Sequence, residues 1–251
     1  MTARKDGLKP HLIWLNLILS SFLPQAMVLG LTHASVSASS VGFGKNHPCA
    51  SLLQTAQTPA TLECFDALMR ERRVHPERAA DIDAQIEAIF SQRMAVVVMD
   101  MVGFSQTTAE NGIIPVLAQI YQVRELTVPV IEAHGGRVLK LEADNVYAVF
   151  PTPERAVMAM QTVLHRLNGE DLHASIGIGY GDVLVLGDRD VFGNEMNLAS
   201  KLGEDLAGDD DLLLTEAAWN ALPRPPAGIA PIRDEISGLT VPFYRMPRSS
   251  S

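Results

Sequence analysis

The sequence predicts a mixed α/β (α+β) domain in which an antiparallel sheet is flanked by helices, and three observations point to it. From Met94 onward, strand-like and helix-like segments follow the order β, α, β, β, α, β, β, α, with glycine or proline at the junctions. Two pairs of short apolar runs are separated by only a few turn-forming residues, the spacing of hairpins. A helix-length segment ends in Gly135-Gly136, the residue type that closes helices in a left-handed turn.

The elements follow in order. Pro76 to Arg93 reads as a lead-in helix, since proline suits a helix start, Glu77 and Asp81 suit its first turns, and Ile82, Ile86, Ile89 and Phe90 share one face. Met94 to Asp100 is a buried strand. Pro115 to His134 is helical, with Pro129 as a kink point. Arg137 to Glu142 and Val146 to Phe150 form a hairpin about Asp144-Asn145. Pro153 to Leu167 is a helix whose methionines belong to the core, and His173 to Gly179 with Val183 to Leu186 reads as a second hairpin about Tyr180, Gly181 and Asp182. Gly193 to Leu202 is helical, Leu212 to Leu214 a strand, Thr215 to Asn220 a capped short helix, and Ile236 to Met246 an edge strand. The acidic run Gly208 to Asp211 reads as a solvated loop.

With 251 residues, 47% apolar and 20% charged, the chain supports one good core. A net charge of −9 argues against nucleic acid as a partner, because such a protein needs a basic stripe to displace counterions from phosphates. The expected organisation is a hydrophobic segment over 1–40, a linker and lead-in helix over 41–92, a catalytic domain over 93–246 and a tail over 247–251. Within the linker, Ala60 to Arg72 reads as a short helix. Cys49 and Cys64 lack a zinc-type spacing and are expected to be free thiols, with one disulfide as the alternative if this region faces an oxidising compartment.

Leu12 to Leu31 is an uncharged run long enough to cross a bilayer, preceded by Arg4, Lys5 and Lys9 and followed by the small residues Val36-Ser37-Ala38. It reads as a membrane anchor, an extension from an upstream start, or a secretion signal. The first two rank ahead of export.

Asp100 and Asp144 lie at the ends of apolar strand-like runs, in MAVVVMDMVGFS and GGRVLKLEADNVYAVF. Two carboxylates about 4 Å apart repel by roughly 4 kcal/mol at an effective dielectric near 20, a cost that Mg²⁺ or Mn²⁺ with substrate phosphates removes. The plainer alternative is that Asp100 caps a helix and Asp144 opens a tight turn.

The runs DMVGFS, GGRVLKLEADNVYAVF, SIGIGYGDVLV and DVFGNEMNLASKL, in that order over about Arg93 to Met246, resemble the catalytic domain of class III adenylate/guanylate cyclases. The resemblance implies a ferredoxin-like, polymerase-palm-type sheet. It also implies that Asp100, Asp144 and the Met101 carbonyl hold two metal ions, Mg²⁺ or Mn²⁺, for attack of a ribose 3′-OH with release of pyrophosphate. Gly103 and Phe104 would lie against the triphosphate, although Ser105 can equally start the next helix as its N-cap.

By the same resemblance Lys140 and Asp190 select the purine. Lysine can donate to adenine N1 and aspartate can accept from the exocyclic amine, so ATP is favoured over GTP. Asn197 would orient the ribose, and Lys201 stands where the family has an arginine that stabilises the transferring phosphate. Lysine keeps the charge and loses the two-pronged donor. Ala143 departs from the family's usual glycine before the second aspartate. The family joins its site across a homodimer, with the metal residues of one subunit facing the base and phosphate residues of the other.

The expected function is therefore an adenylate cyclase, converting ATP to 3′,5′-cyclic AMP, in a cytoplasmic setting, with the 12–31 run either anchoring it to a membrane or standing outside the working protein. The alternative, prompted by Lys201 and the absence of a recognisable sensor, is a non-catalytic cyclase-like module that binds nucleotide or signals by dimerising. An exported protein that retains only the fold ranks third.

Overall fold

In the computed structural model of the chain, the described residues are Cys49, 61–103, 112–236 and 239–248. Helix α1 (Leu62–Val74) starts on Thr61, whose side chain accepts from the Cys64 amide. A single 3₁₀ turn (Pro76–Arg78) leads into α2 (Ala79–Phe90), whose buried face is Ile82, Ile86 and Phe90, the stripe expected from the sequence. The helix stops earlier than its polar flank suggests. Ser91 to Arg93 already belong to strand β1 (Ser91–Met101), because they pair with Asp182 to Leu184.

Cys49 and Cys64 form a disulfide with their Cα atoms 5.0 Å apart, which corrects the expectation of free thiols. Both are fully buried against Leu68, Ile82, Ile86, Phe90 and Leu186, so Cys49 is seated against α1 and α2. Composition alone gives no sign of that chain path. The uncharged run 12–31 lies outside the described residues, and among those described no helix is long and apolar enough to cross a membrane.

Helix α3 (Ile113–Ala133) follows β1, then β2 (Arg137–Glu142), β3 (Asn145–Phe150) and α4 (Pro153–Asn168). Gly135 takes φ +75°, the left-handed cap its position predicts, and an added Cβ on Gly136 would lie 2.3 Å from the Phe150 ring. Strand β4 (Ala174–Leu186) is next, then the short β5 (Asp190–Phe192), α5 (Asn194–Ser200) and a π-helical segment (Lys201–Leu206). The chain continues through β6 (Leu212–Thr215), α6 (Glu216–Asn220), β7 (Ile232–Ile236) and β8 (Leu239–Arg245).

Along the sheet the strands run β2-β3-β1-β4-β6-β8-β7, with β5 paired to the end of β4. All these pairs are antiparallel except β4 with β6. The β8 segment lies inside the sheet and β7 forms its edge, whereas the sequence placed the edge at Ile236 to Met246. Strand β1 sits centrally, and that explains its unbroken apolar run. Ala95, Val97, Met99 and Met101 face a core that includes Val116, Ile120, Val130 and Met160 from α3 and α4, while Val96 joins Val149 and Val183 on the opposite face.

The second expected hairpin is absent. Tyr180, Gly181 and Asp182 lie inside β4, opposite Ala95, Met94 and Arg93, and β4 is one strand of 13 residues. Its glycines serve close approach and make no turn. A Cβ on Gly179 would lie 2.4 Å from the Glu195 carbonyl oxygen, and one on Gly177 would lie 2.0 Å from the Ala199 carbonyl oxygen and 2.6 Å from the Gly203 amide. Gly203 in turn stands against the Val98 carbonyl oxygen. Two backbones thus meet with no side chain between them. Gly177→Ala is expected to cost about 3 kcal/mol or more, because neither obstructing group is a flexible side-chain end; a urea unfolding curve checks it.

Candidate active site

The first expected residue, Asp100, is the penultimate residue of β1 and is buried, 8% exposed. It pairs with Asn145 on β3 and Ser175 on β4. The Met101 amide donates to the Asp144 carbonyl at 3.3 Å, and the Val102 amide donates to the His173 carbonyl at 3.0 Å. Asp144 lies in the tight turn joining β2 and β3. Both aspartates therefore stand at the same end of neighbouring strands, and Asp100 is a strand residue rather than a helix cap.

Ala143, where the family pattern has glycine, takes φ +48°. The turn has kept the left-handed conformation that glycine would supply, and the Arg124 guanidinium holds it by donating to the Ala143 carbonyl at 2.7 Å.

Lys140 stands on β2 opposite Tyr147, forms an ion pair with Glu142, and carries its ammonium 5.7 Å from the centre of the Tyr147 ring. Asp190 opens β5, where its Oδ1 accepts from the Val191 amide at 2.9 Å. The neighbours of these two residues, Leu139 and Val191, pack in one apolar cluster, which brings the two strands against each other. Arg137 joins the same strands by donating to the Gly187 carbonyl at 3.1 Å. Gly103 is exposed with φ +84°, and Phe104 and Ser105 lie outside the described residues.

Asn197 and Lys201 fall on one helical face, the Lys201 amide donating to the Asn197 carbonyl. Asn197 is exposed. The Lys201 ammonium donates to Asp205 Oδ2 at 2.9 Å. Lys201 is also the first residue of the π-helical segment, a wide turn often found at functional sites.

Three residues beside the aspartates escaped the sequence reading. Asn145 Nδ2 donates to the Tyr147 hydroxyl at 3.3 Å, and that hydroxyl donates to Glu204 Oε1 at 3.2 Å. Asn145 Oδ1 is buried without a hydrogen-bond partner. Burial pushes the Glu204 carboxyl up to about 7, with the Tyr147 bond opposing the shift and the Asp100 charge adding to it. Burial also raises the Tyr147 hydroxyl, helped by the Glu204 charge. Polar residues at alternate positions of β3 were the available sign of Asn145 and Tyr147. Glu204 comes from a segment far along the chain and had none.

Excess negative charge and an orphaned amide oxygen suit a hard cation. Among the described residues no three carboxylate, imidazole or thiolate side chains form a set that could hold one. A cation here would need backbone or substrate oxygens as well. A cavity of about 470 Å³ lined by Gln161, His165, Asn168, Asp210 and Arg248 contains none of the expected residues.

Two outcomes follow from this geometry. Ala143→Gly is expected to stabilise by about 1 kcal/mol and Ala143→Val to destabilise, read from thermal midpoints, because only the first relieves the left-handed turn. Glu204 holds its proton more tightly in the folded chain than at the ordinary value of 4.5, so stability falls as pH rises from about 4.5 to about 7. Glu204→Gln is expected to gain stability over the wild type at about pH 8 and none at about pH 4, measured by urea unfolding at each pH.

Comparison with known proteins bears on the fold. No family model matches. An uncharacterized protein of Mycobacterium tuberculosis is 29% identical over 138 residues, covering 51% of this chain and 36% of that protein, and one of Mycobacterium bovis matches to the same extent. The chain thus spans about a third of the length of these curated relatives. Among solved structures, an adenylate/guanylate cyclase/hydrolase from Silicibacter pomeroyi is 21% identical, with a TM-score of 0.53 over 62% of this chain and 96% of that one. The catalytic core of a rhodopsin-guanylyl cyclase with converted specificity, in complex with ATPαS, is 16% identical with a TM-score of 0.54, covering 63% and 98%. The guanylate cyclase domain of RhGC from Catenaria anguillulae, in complex with GTP, is 18% identical with a TM-score of 0.52, covering 64% and 98%. At these identities the likeness is one of fold, and the fold of this chain is that of the class III adenylate/guanylate cyclase domains.

Proposed function

We propose that the chain is a nucleotidyl cyclase that converts ATP to 3′,5′-cyclic AMP and pyrophosphate in cyclic nucleotide signalling. The observation that carries this reading is the placing of Asp100 and Asp144 at one end of adjoining strands, joined through the Met101 amide and the Asp144 carbonyl, on a cyclase fold. In the reaction the ribose 3′-oxygen bonds to the α-phosphorus, the bond from that phosphorus to the bridging oxygen breaks, and the 3′-OH proton is lost. Asp100, Asp144 and the Met101 carbonyl would hold two Mg²⁺ or Mn²⁺ ions, which acidify the attacking hydroxyl and neutralise the leaving pyrophosphate.

The remaining work falls to this chain's own groups. Lys140 would donate to adenine N1 and Asp190 accept from the exocyclic amine, so these residues select ATP, whereas solved relatives carry ATPαS in one case and GTP in another. Asn197 would orient the ribose. Lys201 would bring positive charge to the transferring phosphate as a point charge without the bidentate grip of arginine, which lowers turnover. Gly103, free of Cβ in a left-handed turn, and the adjoining Phe104 would let backbone amides approach the triphosphate.

A head-to-tail homodimer completes each site, Asp100 and Asp144 of one subunit facing Lys140, Asp190, Asn197 and Lys201 of the other, in a cytoplasmic setting where ATP is present. Anchoring through 12–31 belongs to the same reading. The engagement of Lys201 with Asp205 favours a second reading, a cyclase-like module that binds nucleotide without turning it over.

The purified 251-residue chain, supplied with Mn²⁺ and either ATP or GTP, is expected to release cyclic AMP in preference to cyclic GMP. Asp100→Asn and Asp144→Asn should each reduce that rate by about a hundredfold or more. Nucleotide retained by a dimer with no cyclic product would establish the second reading in place of the first.

A further inference from the structure

Tyr147 stands at a junction that the reaction described above does not use. Its ring lies beneath the Lys140 ammonium at 5.7 Å, and its hydroxyl accepts from Asn145, the cross-strand partner of Asp100, at 3.3 Å. The same hydroxyl donates to Glu204 Oε1 at 3.2 Å. Glu204 belongs to the π-helical segment Lys201–Leu206, so a single bond ties β3, the strand between those of Asp100 and Lys140, to the turn that begins with Lys201.

The local backbone explains why such a tie matters. A π-helical turn spaces its residues more widely than an α-helix and is seldom stable by itself. Here it lies flush on the sheet through Gly203, where an added Cβ would be 2.7 Å from the Val98 carbonyl oxygen and 2.9 Å from the Gly177 amide. The glycine contact fixes how closely the turn approaches the strands but offers no side chain to stop it from rotating. Leu202 and Leu206 seat one side of the turn against Leu213 of β6 and Phe243 of β8, and the Tyr147–Glu204 bond holds it from β3. The contact of Lys201 with Asp205 is internal to the segment and cannot set its orientation.

Building on the cyclase reading, we infer that Tyr147 and Glu204 are positioning residues, whose hydrogen bond sets the rotation of the Lys201–Leu206 turn and thereby the placement of the Lys201 ammonium at the transferring phosphate. Neither residue touches the nucleotide. Their effect passes through Lys201, so it belongs to the chemical step more than to ATP binding. Tyr147→Phe keeps the ring under Lys140 and removes only the hydroxyl. Glu204→Gln keeps an oxygen that accepts from that hydroxyl, and Glu204→Ala removes it.

The test uses the 251-residue chain with Mn²⁺-ATP, measuring kcat and KM together with amide hydrogen exchange over residues 201–206. Tyr147→Phe and Glu204→Ala are each expected to lower kcat by about tenfold with KM unchanged within about twofold, and to speed exchange in that segment. Glu204→Gln should restore both readings, and the double variant Tyr147→Phe/Glu204→Ala should be no slower than the worse single one. Unchanged kcat and exchange in the two single variants, a change confined to KM, or additive losses in the double variant would overturn the assignment and leave the cyclase reading intact. A wild-type chain that forms no cyclic nucleotide overturns both.

Discussion

The hydrogen bond from the Met101 amide to the Asp144 carbonyl is the constraint about which the candidate site is arranged. It closes the end of β1 against the β2–β3 turn, so that two acids 44 positions apart in sequence share one corner of the sheet. Central β1 is held by β3 on one side and β4 on the other, with both faces buried, and its final residues inherit the rigidity of the core. Asp100 is a buried carboxylate because the strand that carries it must be buried for the sheet to form at all.

A second constraint acts on the opposite face, where Gly177, Gly179 and Gly203 let helix backbone lie directly on strand backbone. The helix bearing Asn197 and the turn bearing Lys201 consequently sit at a height fixed by main-chain atoms, and side-chain packing adjusts only their rotation. Charge then accumulates where these layers meet, with Asp100 and Glu204 close enough for one to raise the proton affinity of the other. A site with that surplus of negative potential favours small multivalent cations and the phosphates that accompany them.

Periodicity and turn chemistry made most of the sheet legible in the sequence. The apolar run before Asp100, the Gly135 cap and the β2–β3 hairpin could be read because each rests on local preferences, and the aspartates stood out as charges ending buried strands. The continuous β4 could not be read in this way. Its glycines look like a turn in one dimension, and only the later approach of Glu195 and Ala199 shows that they make room for a helix. Glu204 was hidden for the same reason, since its partner Tyr147 is 57 residues away. The cysteine pair failed differently. Two buried thiols at the right separation depend on the chain path between them, and a spacing of 15 residues does not reveal it. In a reducing compartment that bond is expected to open, and the apolar seating of Leu68, Ile82, Ile86 and Phe90 is then what keeps α1 and α2 in place.

The aromatic seam beneath those helices links them to β5. Phe65 of α1 meets Phe90 edge-on at 5.3 Å and lies parallel to Phe192 at 6.3 Å, and Phe192 closes the three-residue strand that Asp190 opens. Both helices therefore bear on β5 through the Phe65 ring, and that strand is only three residues long. The short strand is in that sense seated as much by the two helices as by its pairing with β4.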